Sequence, residues 1–426
     1  MRQEHLEAAL PVGADPHRYA RDLAKMHEAV VSGAPSLPGT PRPVIGASWQ
    51  RMLRKGIDPD RGASSTLLDP AQLEQRRRAS GLADAMPTLR HGLLGVAEDA
   101  AHIMVVVDAD GRVLWRDGSS AVRRKADGLG FIEGMSWQED TVGTNAIGTT
   151  LVARRPVQVY SAEHYVRSHH AWTCAAAPLH DPRNGRLLGV VDLSGPALTV
   201  HATTLALVDA VARLTESQLR NEHLAELERL RSVAVPLLSK VDGRAVAIDP
   251  HGWIAATSGV SPVDRLLLPE RLDAGPQWFP AFGSCTVDPL PGGWLVRPVD
   301  GDTAGTGTKV VLDLRGPRQW SLTVEGPGGT WTHALSPRHA EMLYVLTMHP
   351  EGRTAAELAA DLFGAQARTV TVRAEMSRLR RHLGGLLDGR PYRFAEHVEV
   401  VVRRPDQPAQ LLPFSAAPAI RRIGYP

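Results

Sequence analysis

Residues 102–118 read HIMVVVDADGRVLWRDG. Two apolar runs flank Asp108-Ala109-Asp110-Gly111, the composition of a tight turn between two strands. The arrangement returns at 245–259, AVAIDPHGWIAATSG: an apolar run, an Asp-x-x-Gly turn and a second apolar run. The pair is either a weak internal repeat of a sensor-type sheet or two unrelated hairpins. Further short strands follow the first hairpin: RPVQVY (155–160), AWTCAAAPL (171–179) and, beyond the turn Asp181–Gly185, RLLGVVDLSG (186–195). With helical stretches between and around them, they predict a mixed α/β (α+β) chain of several domains.

The 426 residues suffice for two to four domains, each with its own core. Apolar residues at 43% and charged residues at 22% are ordinary for a globular protein. No run of about 18 apolar residues is present, so no membrane span is expected. The start, MRQEHLEAAL, is charged where a secretory signal needs an apolar core. Two cysteines, Cys174 and Cys285, make no disulfide framework and fit the reducing cytoplasm. The net charge of +2 names no partner; where the arginines cluster matters more.

Residues 1–80 read as a helical lead-in, Pro-rich near 32–43 (SGAPSLPGTPRP) and charged from VIGASWQRMLRKG (44–56) onward. Residues 81–200 form the mixed α/β unit. Residues 201–232 contain neither Pro nor Gly and predict a connecting helix. On it Leu207, Val211, Leu214, Leu224, Leu227 and Leu230 suggest a partner face for a homodimer, interrupted by Gln218 and Asn221. Residues 233–300 read as a small PAS-like α/β segment from one hairpin and GWLVRPV. PVDGDTAGTGTK (298–309) has linker composition, 310–404 is a compact unit, and 405–426 is a tail.

The compact unit begins with three alternating strands, VVLDLRG, QWSLTVEG and TWTHAL. Ser336-Pro337 caps a first helix and Thr354-Ala-Ala-Glu357 is a capping box for a second. A third, VTVRAEMSRLRRHL (370–383), stacks Val372, Met376, Leu379 and Leu383 on one face. Ala374, Ser377, Arg378 and Arg381 point the other way, with Arg373 and Arg380 on a flank. RPYRFAEHVEVVVRR closes the unit as a β-hairpin. From 368 to 393 seven arginines, 368, 373, 378, 380, 381, 390 and 393, stand against Glu375 and Asp388. Small and hydroxyl residues, Thr371 among them, beside arginine forks suit a helix lying in a major groove of double-stranded DNA. The alternative is a solvated arginine-rich face.

The unit resembles the OmpR-type winged-helix effector domain over about 95 residues, through LSPRHAEMLYVL, RTAAELAADLFG and TVRAEMSRLRRHLG followed by PYRF. The resemblance implies that the helix bearing Arg373, Ser377, Arg378 and Arg381 reads the groove while the hairpin touches adjacent phosphate. The receiver domain that often precedes such effectors has no visible counterpart in the sequence.

GMSWQEDTVGTNAIGTTLVARRPVQVYSAEHYVRSHHAWTCAAAPLHDP (134–182), closing with GRLLGVVDLSGP (185–196), resembles the GAF sensor domain of AcoR-type transcription activators. It implies an antiparallel sheet with a small-molecule cavity. Activators of that type continue into an ATPase module, yet no G-x-x-x-x-G-K-[ST] loop occurs here. The expectation is a one-component regulator without ATP hydrolysis, not an enzyme, with RNA polymerase as a further contact.

For an effector, which the sequence does not identify, Trp137 and Trp172 offer aromatic walls, and Glu139, Thr144, Asn145, His164 and His169 polar contacts. Equally, Thr144 and Asn145 cap the helix NAIGTTLVA and both tryptophans are core. His164, His169, His170 and Cys174 have zinc or iron chemistry without a diagnostic spacing, so neither a metal nor a cofactor is expected. A metal- or thiol-dependent sensor or enzyme built on that cluster is the alternative, and an anti-activator acting on a protein partner a third.

Overall fold

The computed structural model describes residues 6–11, 13–34, 39–63, 65–260, 265–266, 268–269, 272–279, 282–299, 308–316, 319–326, 329–364, 368–383, 386–396 and 398–424, with side chains for all of these but 308, 326, 329, 381, 382, 409, 423 and 424. The expected linker at 298–309 lies largely outside the described residues, as does part of the Pro-rich stretch near 32–43. The chain divides into two compact units, Met1–His223 and Leu224–Pro426.

Unit 1 opens with four helices, α1 Pro16–Val31, α2 Pro43–Lys55, α3 Pro70–Ala79 and α4 Met86–Asp99, each with proline in its first turn, where a missing N–H costs nothing. Then come β1 Ile103–Asp108, β2 Val113–Gly118, α5 Ser120–Asp127, α6 Glu139–Val142, α7 Ala146–Ala153, β3 Val157–Tyr160, β4 Trp172–His180 and β5 Leu187–Pro196. The sheet is antiparallel in the order β2-β1-β5-β4-β3. Every residue of β1 is buried, because both faces of the sheet are covered. Met104 and Val106 pack against α4 and the start of the next helix, α8 Ala202–Leu238. Ile103, Val105 and Val107 pack on the other face with Trp49 of α2, Phe131, Trp137, Ile147, Trp172 and Cys174. The lead-in helices therefore build the same core as the strands.

In unit 2, α8 continues to Leu238, six residues past the 232 expected, and takes Pro236 into its last turn. Ala234 and Leu238 are buried with Ala245, Ala247 and Leu295, which holds that turn despite the proline. Next follow β6 Ala245–Ile248, β7 Ile254–Ser258, β8 Gly275–Phe279, β9 Gly283–Leu290 and β10 Gly293–Pro298, antiparallel in the order β7-β6-β10-β9-β8.

The two five-stranded sheets thus share one strand order, counted from the first strand of each. They also share details of the first hairpin. Asp108 Oδ1 accepts from the N–H of Asp110 and Arg112, and Asp249 Oδ1 from the N–H of His251 and Trp253. Gly111 (φ +72°) and Gly252 (φ +85°) occupy the left-handed position of each turn. A Cβ on Gly189 would collide with the Val107 carbonyl, and one on Gly293 with that of Ile248, the residues just before the two aspartates.

The rest of unit 2 runs β11 Thr308–Asp313, β12 Trp320–Gly326, β13 Gly329–Leu335, α9 Pro337–Thr347, α10 Ala355–Phe363, α11 Thr369–Leu383, β14 Leu387–Gly389, β15 Tyr392–Phe394, β16 Val398–Arg403 and α12 Pro418–Gly424. The caps read from sequence form: Ser336 Oγ accepts from His339 N–H, and Thr354 and Glu357 make the reciprocal capping box. The closing hairpin differs from expectation. It joins β14 to β15, whereas β16 leaves to pair in parallel with β11, Val400 opposite Val310 and Val402 opposite Leu312. The open edge of β11 accounts for this, since it offers a full ladder to a Val-rich strand. Residues after 404, read only as a tail, fold back and bury Leu411, Leu412, Ala417 and Ile420 in the same core.

Candidate functional site

The segment 137–149 is held by polar bonds to the lead-in. Glu139, 4% exposed, accepts from Ser48 Oγ at 2.7 Å, Thr149 Oγ1 at 2.8 Å, and Arg51 Nε and Nη2 at 2.8 and 2.7 Å. Thr144 Oγ1 shares a 2.7 Å bond with Ser48 Oγ. Asn145 Oδ1 caps α7 by accepting from Gly148 N–H, while its Nδ2 donates to the carbonyls of Gly143 and Trp137. The hydrogen-bonding groups of these three residues are engaged by the chain itself.

The histidines fill the adjoining 161–170 segment. His164 Nδ1 lies 2.9 Å from Ser161 O and His170 Nε2 3.1 Å from His164 O. The ring of His169 stacks on Trp137 at 5.2 Å, and Trp137 lies over Phe131 at 3.8 Å. Burial, with the neighbouring His169 next, pushes His164 down to about 3. Burial and His170 push His169 down to about 4; burial and His27 do the same to His170. All three are neutral imidazoles at pH 7. Among the described residues, no three of His, Cys, Asp or Glu converge to hold a metal ion. The thiol of Cys174 is pushed up by burial, and secondarily by Asp192, which leaves it a poor nucleophile at neutral pH. Trp172 and Cys174 share one face of β4, in the core.

Asp192 escaped the sequence reading. It lies on central strand β5 with no exposed surface. Ser194 Oγ donates to its Oδ2 at 2.5 Å, whereas Oδ1 is buried without a hydrogen-bond partner. Burial raises its pKa to about 7, against the Ser194 hydroxyl. The available signal was one carboxylate amid the apolar run VVDLSG. His169 Nδ1 is likewise buried and unpartnered.

In unit 2, α11 turns Val372, Met376, Leu379 and Leu383 into the core, as their spacing predicts. Thr371, Arg373, Ser377, Arg378 and Arg380 are exposed on it, and so is Val370 at 75%. Arg378 donates to Glu375 at 2.6 Å, and Glu375 also lies 3.0 Å from His339. Arg380 Nε donates to Leu387 O, which fastens the helix to the β14–β15 hairpin. Arg393 pairs with Asp388 across that hairpin and with Glu396 three residues further on, and Arg390 is exposed in its turn. Arg368 stacks over Phe363 at 5.1 Å. The side chain of Arg381 lies outside the described residues.

Among the described residues, no helix is long and apolar enough to cross a membrane. The family described as "MimR, N-terminal domain" matches residues 20–220. A 47.3 kDa protein of the thcA 5′ region of Rhodococcus erythropolis is 31% identical over 90% of this chain and 72% of its own length. The acetoin dehydrogenase operon transcriptional activator AcoR of Bacillus subtilis is 33% identical over 48% of this chain and 33% of its own. The propane 2-monooxygenase operon transcriptional activator MimR of Mycolicibacterium goodii is 30% identical over 65% of this chain and 47% of its own. The chain thus spans a third to a half of the length of these two activators.

Proposed function

We propose that the chain, whose residues 20–220 match the MimR N-terminal domain family, is an AcoR/MimR-type regulator: one-component, ligand-responsive and DNA-binding. Unit 1 is its GAF-type sensor for a small effector. Residues 310–404 are its winged helix, with α11 in the major groove and the β14–β15 hairpin against flanking phosphate. The observation that carries this reading is the two-sidedness of α11. Its apolar stripe is fully spent on the core, which leaves Arg373, Ser377 and Arg378 facing out beside Val370. Arginine forks and small side chains at that spacing match guanine edges and phosphate oxygens, and Val370 suits a thymine methyl.

Two copies associate through α8, where Leu214 and Leu224 are more than half exposed. Effector binding shifts the population between two arrangements of this helix and so the spacing of the two groove-reading helices. Such a regulator works in the cytoplasm, on double-stranded DNA, with RNA polymerase as its further contact.

The test is selection of genomic fragments by the purified protein, followed by gel shift of the recovered site. Specific retention is expected, lost in the double variant Arg373→Ala plus Arg378→Ala. Undiminished binding by that variant refutes the α11 assignment.

A further inference from the structure

Beside the first hairpin of unit 1 lies a cavity of about 390 Å³. Three parts of the chain wall it. The lead-in supplies Ser65, Thr66 and Arg76 of α3, the β1–β2 turn supplies Asp110 and Arg112, and a third wall begins at Ser136. Among the described residues no apolar side chain lines it, which separates it from the sheet face that carries Trp137 and Trp172.

The charged groups of the wall are unequally satisfied. Arg76 Nη1 donates to Asp108 Oδ2 at 2.8 Å and to Asp110 Oδ2 at 3.0 Å, which occupies the one carboxylate present. Arg112 spends Nη1 alone, on the carbonyls of Thr66 at 2.6 Å and Gly134 at 3.2 Å and on Ser65 Oγ at 3.4 Å. Among the described residues no carboxylate pairs with Arg112, and its Nε and Nη2 meet no acceptor. Unit 1 itself shows what that edge ordinarily does. Arg42, Arg51 and Arg183 each close Nε and Nη2 on a carboxylate.

Hydroxyls complete the donor set. Ser65 and Thr66 stand on one wall; on another, buried Ser136 shares a 3.2 Å bond with Thr141. Two hydroxyls joined by one bond keep one hydrogen for a further acceptor. Gln138 Nε2 is already committed to the Asp110 carbonyl at 2.6 Å. An apolar ligand finds no wall here, and a cation meets the charge of Arg112. A neutral polyol leaves the guanidinium without a counter-charge. A carboxylate puts both its oxygens on the fork, whereas a phosphoryl group keeps a third for the hydroxyls.

We propose that this cavity is an anion site of unit 1, and that it takes a phosphoryl group (inorganic phosphate or a small phosphate monoester). Two oxygens lie on Arg112 Nε and Nη2 and a third on the hydroxyls. A ligand held this way ties the lead-in at Thr66 to the β1–β2 turn. The site stands apart from the sheet face, and nothing in it depends on how unit 2 meets DNA.

The test is calorimetry of the full chain with inorganic phosphate, at constant ionic strength in chloride. Saturable binding of about millimolar affinity is expected. Acetate is expected to bind about tenfold more weakly, because it lacks the third oxygen. Arg112→Lys keeps the charge and loses the fork, with a loss of about tenfold. Since Arg112 also holds two backbone carbonyls, Thr66→Glu is the companion variant. At an exposed position, it offers the fork a carboxylate from within the chain and should abolish phosphate binding. The inference is overturned by the absence of saturable phosphate binding, by acetate binding as tightly, or by undiminished binding in either variant when folded. Methyl phosphate binding as tightly as phosphate supports a monoester as the natural form, and its exclusion while phosphate binds supports the free ion.

Discussion

Arg51 closes on Glu139 through two parallel N–H···O bonds, of 2.8 Å from Nε and 2.7 Å from Nη2, across 88 residues of chain. With Ser48 and Thr149 on the same carboxylate, a residue of α6 becomes the tie between α2 and α7. Glu139→Ala strips four donors of their acceptor, two of them on buried hydroxyls. A loss of about 3 kcal/mol is expected in urea unfolding of unit 1. Glu139→Gln, which keeps one acceptor oxygen, falls between.

Asn145 carries a cap and two carbonyl contacts on one side chain. Asn145→Ala is expected to cost about 2 kcal/mol, at the upper end for a helix cap, because two buried carbonyls lose a donor as well. Asn145→Asp retains the cap but turns a carboxylate on those carbonyls. It should be no more stable than the alanine variant by thermal unfolding.

The raised pKa of Asp192 has a defined sign. In the unfolded chain the group ionises near its ordinary value, while the native state keeps its proton up to about pH 7. Between about pH 4 and 7 the native state therefore binds more protons, and this group's contribution to stability falls as pH rises. At 1.36 kcal/mol per unit the whole effect is about 4 kcal/mol. Asp192→Asn is expected to remove it, so the variant's advantage over the parent grows from pH 4 to 8 in urea titrations.

His164 and His169 act in the opposite sense. Their native pKa values of about 3 and about 4 lie below the unfolded value, so the unfolded chain takes up protons first as pH falls. The stability they contribute is complete above about pH 6.5 and is lost towards pH 4, by about 3 kcal/mol for His169. His169→Gln should flatten that acid limb; an unchanged limb would mean that the ring is not buried neutral.

The arginines near α11 are not equivalent. Arg393 is committed to Asp388 and Glu396, and Arg380 to the Leu387 carbonyl, whereas Arg373 is exposed. Arg373→Ala should therefore weaken DNA binding more than Arg393→Ala. It should also lower the slope of log affinity against log salt by about one, read by fluorescence anisotropy.

Features that depend on neighbours a few residues away were legible in the sequence. Thr354 and Glu357 cap each other three residues apart, and Val372, Met376 and Leu379 stack by helical period alone. The two Asp-x-x-Gly hairpins could be seen individually. That Gly189 and Gly293 stand at equivalent places in two sheets of one strand order appeared only once the strands were paired. Val400 and Val402 alternate as a hairpin strand would, and no local pattern tells such a strand which edge it will join.

Polar side chains divide in the same way. Glu139, Thr144 and Asn145 read as ligand contacts because their chemistry fits. The partners of the first two come from Ser48 and Arg51, about ninety residues earlier, and from Thr149, while Asn145 turns on its own loop. Asp192 passed as one residue of a strand until its buried Oδ1 was found without a donor. By itself the sequence determined the periods, turns and caps, since these are contacts within one element. Only the tertiary structure decided which polar atoms the fold consumes and which it leaves open, because a buried hydrogen bond is settled by what distant segments bring within 3 Å of it.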